Sequence, residues 1–208
     1  TNSLLIISAH ADDNLSSAGT VFKLQKEYSY HPYEIVYTNS NLGQNYKSKK
    51  ELSIGNNQAT RSRELTEAAA FLGIKKLFML NQPDLGLVYS SKLLFQTVKI
   101  IREVQPEIVF LHNPYDAHPD HASAYRIGIN AIKIAATGVK KETLGSPWRV
   151  KSVLCAEGML PVKTQILVDI TQYLEKKLEL FRLYSSQASP KAVNFETSLA
   201  SVRGYHLR

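Results

Sequence analysis

Four short apolar runs, each continuous and each separated from the next by a helical stripe, constrain this chain more than any other feature. They are Leu4-Leu5-Ile6-Ile7, residues 34–38 (EIVYT), residues 76–80 (KLFML) and residues 107–111 (EIVFL). A strand with one wet face alternates apolar and polar residues, whereas a strand covered on both faces reads as an unbroken run. The stripes between them have helical spacing. Val21, Phe22 and Leu24 lie within residues 15–28. Leu65, Ala68, Ala69 and Leu72 lie within residues 61–72, which Gly73 ends. Leu94, Val98, Ile101 and Val104 stop at Pro106, and a further helix is predicted over residues 119–136. Residues 150–156 and 165–168 read as two more strands, and Thr171 as the cap of a last helix carrying Leu174, Leu178 and Phe181. Residues 39–57 are Asn-rich and aperiodic, a length of loop that is often functional. Strands alternating with helices predict an α/β fold: a Rossmann-like, doubly wound, mostly parallel sheet with helices on both faces. No repeat or linker divides the 208 residues, so one domain, residues 1–208, is expected.

The chemistry-bearing residues fall at two strand ends. His10-Ala11-Asp12-Asp13 follows the first run, and residues 112–121 (HNPYDAHPDH) follow the fourth. In the strand order 3-2-1-4-5, strands one and four are neighbours, and ligands bind outside their carboxyl ends where the winding reverses. Two clusters about a hundred residues apart therefore meet in one crevice. His10 and Asp13 are three residues apart, as are His118 and His121, so each pair can curl toward one point. Two imidazoles and one carboxylate form a usual catalytic zinc set with a position left open for water. Such zinc makes that water acidic near neutral pH, and Asp12 stands beside it to accept a proton. The competing reading is local: Asp12, Asp13 or His118 as helix caps, and His112 as a strand-end residue satisfied by backbone.

These motifs resemble those of the LmbE-like, or PIG-L-type, N-acetylglucosaminyl de-N-acetylases. AHADDN (residues 9–14) is similar to the family's Ala-His-Pro-Asp-Asp-Glu, and His-Pro-Asp-His stands intact at residues 118–121. Arg61-Ser62-Arg63-Glu64-Leu65 with Leu72-Gly73 looks like its R-x-x-E-L…L-G helix, and Asp84-Leu85-Gly86-Leu87 like its D-x-G-L loop. Ser186-Gln187 and Arg203-Gly204 match two later signatures in the right order. The resemblance implies His10, Asp13 and His121 as ligands of one zinc or other divalent ion. It implies Asp12 as general base, His118 as the group meeting the oxyanion or leaving amine, Asp120 as its orienting partner, and Arg61 as a contact to sugar hydroxyls. The implied reaction removes an N-acetyl group from a glucosamine-like amine and releases acetate. Asn14 and Asn41 stand where such sequences usually carry Glu, which removes acid near the site and bears on substrate preference.

The rest of the sequence sets bounds. The formal charge is +7, but Lys and Arg are dispersed and form no stripe interleaved with aromatics, so no nucleic-acid partner is expected. No run approaches the length of a membrane span. The single cysteine, Cys155, cannot pair internally and reads as a small buried hydrophobe; a cytoplasmic location is expected. The expected partner is a small N-acetylated amino sugar or conjugate, with self-association left open. Three rival readings share parts of the pattern, one of them a metal-binding protein that has lost catalysis. A non-haem iron oxygenase also uses two His and one carboxylate, and a Rossmann binding module expects a Gly-rich first turn, where this chain has AHADDN.

Overall fold

In the first strand, β1 (Ser3–Ser8), all six residues are buried, and a strand with no wet side chain belongs in the middle of a covered sheet. The computed structural model describes residues 2–43, 45, 54–158 and 162–206. In it β1 pairs in parallel with β2 (His31–Thr38) on one side and β4 (Ile108–Leu111) on the other. β3 (Leu77–Gln82) adds outside β2 and β5 (Ser152–Cys155) outside β4, giving the order β3-β2-β1-β4-β5 with every pairing parallel. The winding reverses between β1 and β4, as the alternating pattern predicts.

Among the described residues seven helices flank this sheet: α1 (Leu15–Tyr28), α2 (Ile54–Leu72), α3 (Ser91–Val104), α4 (Pro119–Ala135), the short α5 (Lys141–Leu144), α6 (Leu174–Leu183) and α7 (Pro190–Tyr205). The period-two geometry of β1 divides the core between its faces. Leu4 and Ile6 pack with Val21, Leu65 and Leu180 of α1, α2 and α6, while Leu5 and Ile7 pack with Val98, Ile101 and Ile127 of α3 and α4. α4 lies very close to the sheet because Gly128 lets it. A Cβ there would sit 2.7 Å from Leu111 Cδ2. That approach brings the first turn of α4 against the end of β1.

Arg102 of α3 ties down the far end of α4. Its guanidinium donates to the carbonyls of Ile134, Ala135, Thr137, Val139 and Gly145 at 2.8–3.3 Å, satisfying acceptors that the helix end leaves unpaired. Arg102→Ala strips these partners from a buried site. It is expected to cost about 3–5 kcal/mol and to lower Tm by roughly 10 °C. A calorimetric shift under about 2 °C would mean that water replaces the guanidinium without penalty.

Several elements differ from the sequence reading. α2 begins at Ile54, so part of the aperiodic segment is helical; residues 44 and 46–53 of that segment lie outside the described residues. Residues 165–168 form no strand, since β-forming side chains need a partner edge and this stretch runs irregularly before a 3-10 turn at Thr171–Tyr173. Thr171 does not cap α6; its hydroxyl bonds Asp169 instead. α6 is followed by α7, whose apolar residues line no single face and left no stripe to read. Its start was legible all the same, because Ser189 caps Ala192 and Pro190 opens the first turn. Cys155 is exposed, because β5 is an edge strand with little packed over it. Among the described residues no helix is long and apolar enough to cross a membrane.

Candidate metal centre

The turn between β1 and α1 is held by committed backbone amides. Ala9 N–H donates to His112 Nε2 at 3.0 Å, joining the ends of β1 and β4 directly. His10 N–H donates to Asp13 Oδ2 at 2.6 Å, and Ala11 N–H to the Ser40 hydroxyl at 3.0 Å. Neither Asp12 nor Asp13 caps α1: Asn14 takes that position without a side-chain cap. On the opposite side His118 caps α4, its Nδ1 accepting from Asp120 N–H at 3.2 Å, and His121 stands one turn further along. The rings converge, with centroids 4.7 Å apart for His10–His118, 5.2 Å for His10–His121 and 4.6 Å for His118–His121.

Hydrogen-bond partners sort these imidazoles by what they can offer. His10 Nε2 faces Asp120 Oδ2 (3.0 Å) and Asp84 Oδ1 (3.2 Å), so it carries a proton and leaves the Nδ1 lone pair for the crevice. His121 Nδ1 faces Asp116 Oδ2 (3.0 Å), which leaves the Nε2 lone pair. Those two nitrogens lie 3.2 Å apart. Asp13 oxygens lie 3.2 Å from His121 Nε2 and 3.6 Å from His10 Nδ1. Stripped of protons, these two nitrogens and the carboxylate face one another with lone pairs only, so a cation must lie among them: protons in the metal-free protein, or a metal ion in their place. Separations of 3.2–3.6 Å match the roughly 3.3–3.4 Å between donors placed tetrahedrally about zinc at about 2.0–2.1 Å. The residues therefore fit a divalent ion, with a carboxylate behind each imidazole. Other sets, His10 with His118 and His121 or Asp13 with His112 and His121, also lie within reach of one ion. They fit less well. His118 and His112 each accept a backbone N–H at the nitrogen named above, His112 at the one facing Asp13.

Charge follows the same map. Burial opposes charge on His10, but Asp13 and Asp84 outweigh it and push the imidazole up to about 11. Burial likewise opposes His121, which Asp13 and Asp116 raise to about 9. Asp13 is driven well below the ordinary carboxylate range despite its burial, by the surrounding imidazoles. His118 is lowered by its own burial and by the charges of His10 and His121.

Residues 5–132 match the GlcNAc-PI de-N-acetylase (PIG-L) family. This chain belongs to that family. It is 27% identical over 188 residues to the diacetylchitobiose deacetylase of Thermococcus kodakarensis, a match covering 88% of this chain and 69% of the relative. The solved N,N'-diacetylchitobiose deacetylase of Pyrococcus horikoshii superposes with a TM-score of 0.86 at 27% identity, over 99% of this chain and 79% of that one. A 4-oxalmesaconate hydratase of Pseudomonas putida is also 27% identical over 195 residues, 89% of this chain and 74% of the relative. As a PIG-L member the chain is an enzyme of the deacetylase type, a hydrolase of carbon–nitrogen bonds.

Within this PIG-L site one expected partnership is different. Asp120 does not orient the His118 ring. Its buried carboxylate accepts from the Leu85 and Leu87 amides (2.8 and 3.1 Å) and from His10, while only its backbone meets His118. From the second position of α4, the side chain reaches across to the loop after β3, and the ring of His118 points elsewhere. Arg61 is buried and ion-paired with Asp12 at 2.5 Å; its Nε and Nη1 have no hydrogen-bond partner. Glu64, one turn on, accepts from Ser185 and twice from Ser186, which binds α2 to the segment after α6. Asp84 and Asp116 were not among the predicted site residues. Asp116, two residues before His118 in the same polar run, carried the clearest available signal, since a histidine ligand needs a partner on its other nitrogen.

Proposed function

We propose that the chain is a zinc-dependent deacetylase that removes the N-acetyl group from an N-acetylglucosamine-like amine or conjugate and releases acetate. The observation that carries this reading is the convergence of two imidazole nitrogens and a carboxylate, flanked by the Asp12 carboxylate, which Arg61 holds through one oxygen, and by the His118 ring. His10 Nδ1, Asp13 and His121 Nε2 hold one divalent ion, with Asp120, Asp84 and Asp116 fixing the two rings. Bound zinc supplies a water acidic enough to ionise near pH 7. Asp12 accepts the proton of the attacking water: Arg61 occupies Oδ1 and leaves Oδ2 for it. As the amide carbon becomes tetrahedral, its oxygen gains charge, and the Nε2–H of His118 donates to it. The C–N bond then breaks, acetate leaves, and the proton held by Asp12 passes to the departing amine. Arg61, ion-paired with Asp12 and with Glu64, stands beside the site as the group proposed to meet a sugar hydroxyl. One catalytic domain in a reducing, cytoplasmic compartment suits a chain whose lone cysteine has no internal partner.

Acetate release from a panel of N-acetylglucosamine conjugates, N,N'-diacetylchitobiose included, tests the reading. Turnover that stops with chelator and returns with zinc is the expected result. If no acetate appears and 4-oxalmesaconate is hydrated instead, the hydratase activity of the Pseudomonas relative replaces it.

His118 has two separable tasks, and one substitution divides them. His118→Asn keeps an oxygen that can cap α4 but removes the Nε2–H donor. Turnover is expected to fall roughly 10²–10³-fold with zinc content unchanged. His118→Ala should lose the cap as well, about 1 kcal/mol of stability. If His118→Asn turned over at the parent rate, only the cap would remain as its role.

A further inference from the structure

The turn that carries His10, Asp12 and Asp13 enters from Ser8, the last residue of β1, and leaves at Asn14, the residue before α1. One side chain on the neighbouring strand holds both ends. Glu34 of β2 accepts from the Ser8 hydroxyl at Oε1 (2.8 Å) and from the Asn14 side-chain amide at Oε2 (3.1 Å). The same Asn14 amide meets the Tyr184 hydroxyl at 2.9 Å, just past α6. Glu34, Asn14 and Tyr184 are fully buried and Ser8 very nearly so. Among the described residues no Lys, Arg or His forms an ion pair with Glu34.

A buried carboxylate without a cation is expensive, and burial pushes this one up to about 7. Packing alone would be served as well by an uncharged side chain of the same shape. What the carboxylate offers is two acceptors pointing apart, matched to a donor at each end of the turn. A glutamine has one acceptor and one donor: with its oxygen on Asn14 it must donate to Ser8, whose hydroxyl then turns from donor to acceptor, and the charge that tightens both bonds is gone. Position 14 is complementary: its side-chain amide presents a donor to the buried acid opposite.

We infer that Glu34 is a positioning residue whose carboxylate clamps the two ends of the metal-bearing turn and sets the spacing of His10 and Asp13. The inference rests on the zinc reading above. A clamp of this kind acts on the metal and on turnover, and it contributes little to global stability.

Three variants test it, with zinc affinity measured by competition against a chromophoric chelator, Tm by calorimetry, and kcat and KM where turnover is measurable. Glu34→Gln should weaken zinc binding about 10–100-fold, the range typical of partners behind a ligand, while Tm holds or rises. kcat should fall with little change in KM. Asn14→Asp sets two carboxylates face to face and should also lose zinc. The double variant Glu34→Gln/Asn14→Asp restores a donor facing an acceptor at both ends. It should recover at least about tenfold of the affinity lost in Glu34→Gln. Lost affinity, held Tm and rescue in the double variant together support the clamp. Parent-like zinc affinity in Glu34→Gln overturns it and leaves the zinc reading standing. A Tm loss in Glu34→Gln with no rescue also overturns it, by making Glu34 plain structural support. A parent protein that takes up no zinc overturns the zinc reading, and the clamp with it.

Discussion

Asp12→Asn is expected to lower kcat roughly 10²–10⁴-fold while zinc content stays at the parent level, because the change removes the proposed base and nothing from the proposed donor set. The substitution is nearly isosteric. The amide oxygen it introduces can still accept from Arg61 Nη2, which sits 2.5 Å from Asp12 Oδ1 in the parent protein, so the guanidinium keeps its place. What disappears is the second oxygen's capacity to take a proton from water and deliver it to the leaving amine. The loss should therefore fall on kcat, and KM should move little. Arg61 adds a cross-check. Arg61 is ion-paired with Asp12, and in the reading above it also meets the substrate. Arg61→Lys should then raise KM and lower kcat together, whereas Asp12→Asn lowers kcat alone. Acetate release and zinc analysis on the same preparations decide between them. Near-parent kcat in Asp12→Asn would move the base elsewhere, and loss of zinc would make Asp12 part of the metal's hold.

How much of this was legible beforehand depended on range. Unbroken runs such as Leu4-Leu5-Ile6-Ile7 report burial on both faces, and from that follow a parallel sheet, helices on each side and a switch point between β1 and β4. The two polar clusters could be placed at that point because strand ends are local facts. Partner choice is not local. Asp120 lies two residues from His118, yet its carboxylate serves His10, more than a hundred residues away, and the amides of the loop after β3. Glu34 reads as part of an ordinary strand, and only the fold reveals that it faces Ser8 and Asn14. Residues 165–168 show the converse error: apolar, β-branched side chains satisfied a strand pattern, but no edge was there to receive them. α7 was missed because a helix with few buried residues carries no stripe, and its Ser-Pro start was the one signal to weigh.

His121→Ala is expected to be the most damaging single change to metal binding. It removes one of the three proposed donors, so zinc affinity should fall by more than the roughly 10–100-fold that follows loss of a partner behind a ligand. Asp116→Ala, which removes such a partner, should stay inside that range. The ranking is the test, because a site centred on another set would invert it. Proton release gives a second, independent measure. In chelator-treated protein their carboxylates keep His10 protonated up to about 11 and His121 up to about 9, both above the free value of 6.5. Zinc must displace both protons, so loading at pH 7 should release about two, seen as a dependence of binding heat on buffer ionisation enthalpy. Apparent affinity should climb about a hundredfold per pH unit below about 9 and about tenfold per unit from there to about 11. The sign for stability is opposite. In the same chelator-treated protein these ion pairs stabilise the fold fully below about pH 6.5, and the contribution is lost as pH rises through about 9 and then about 11. His121→Ala leaves one proton to displace, and the steep slope should fall from two to one. Two protons still released by that variant, or zinc affinity stronger than in Asp116→Ala, would remove His121 from the site.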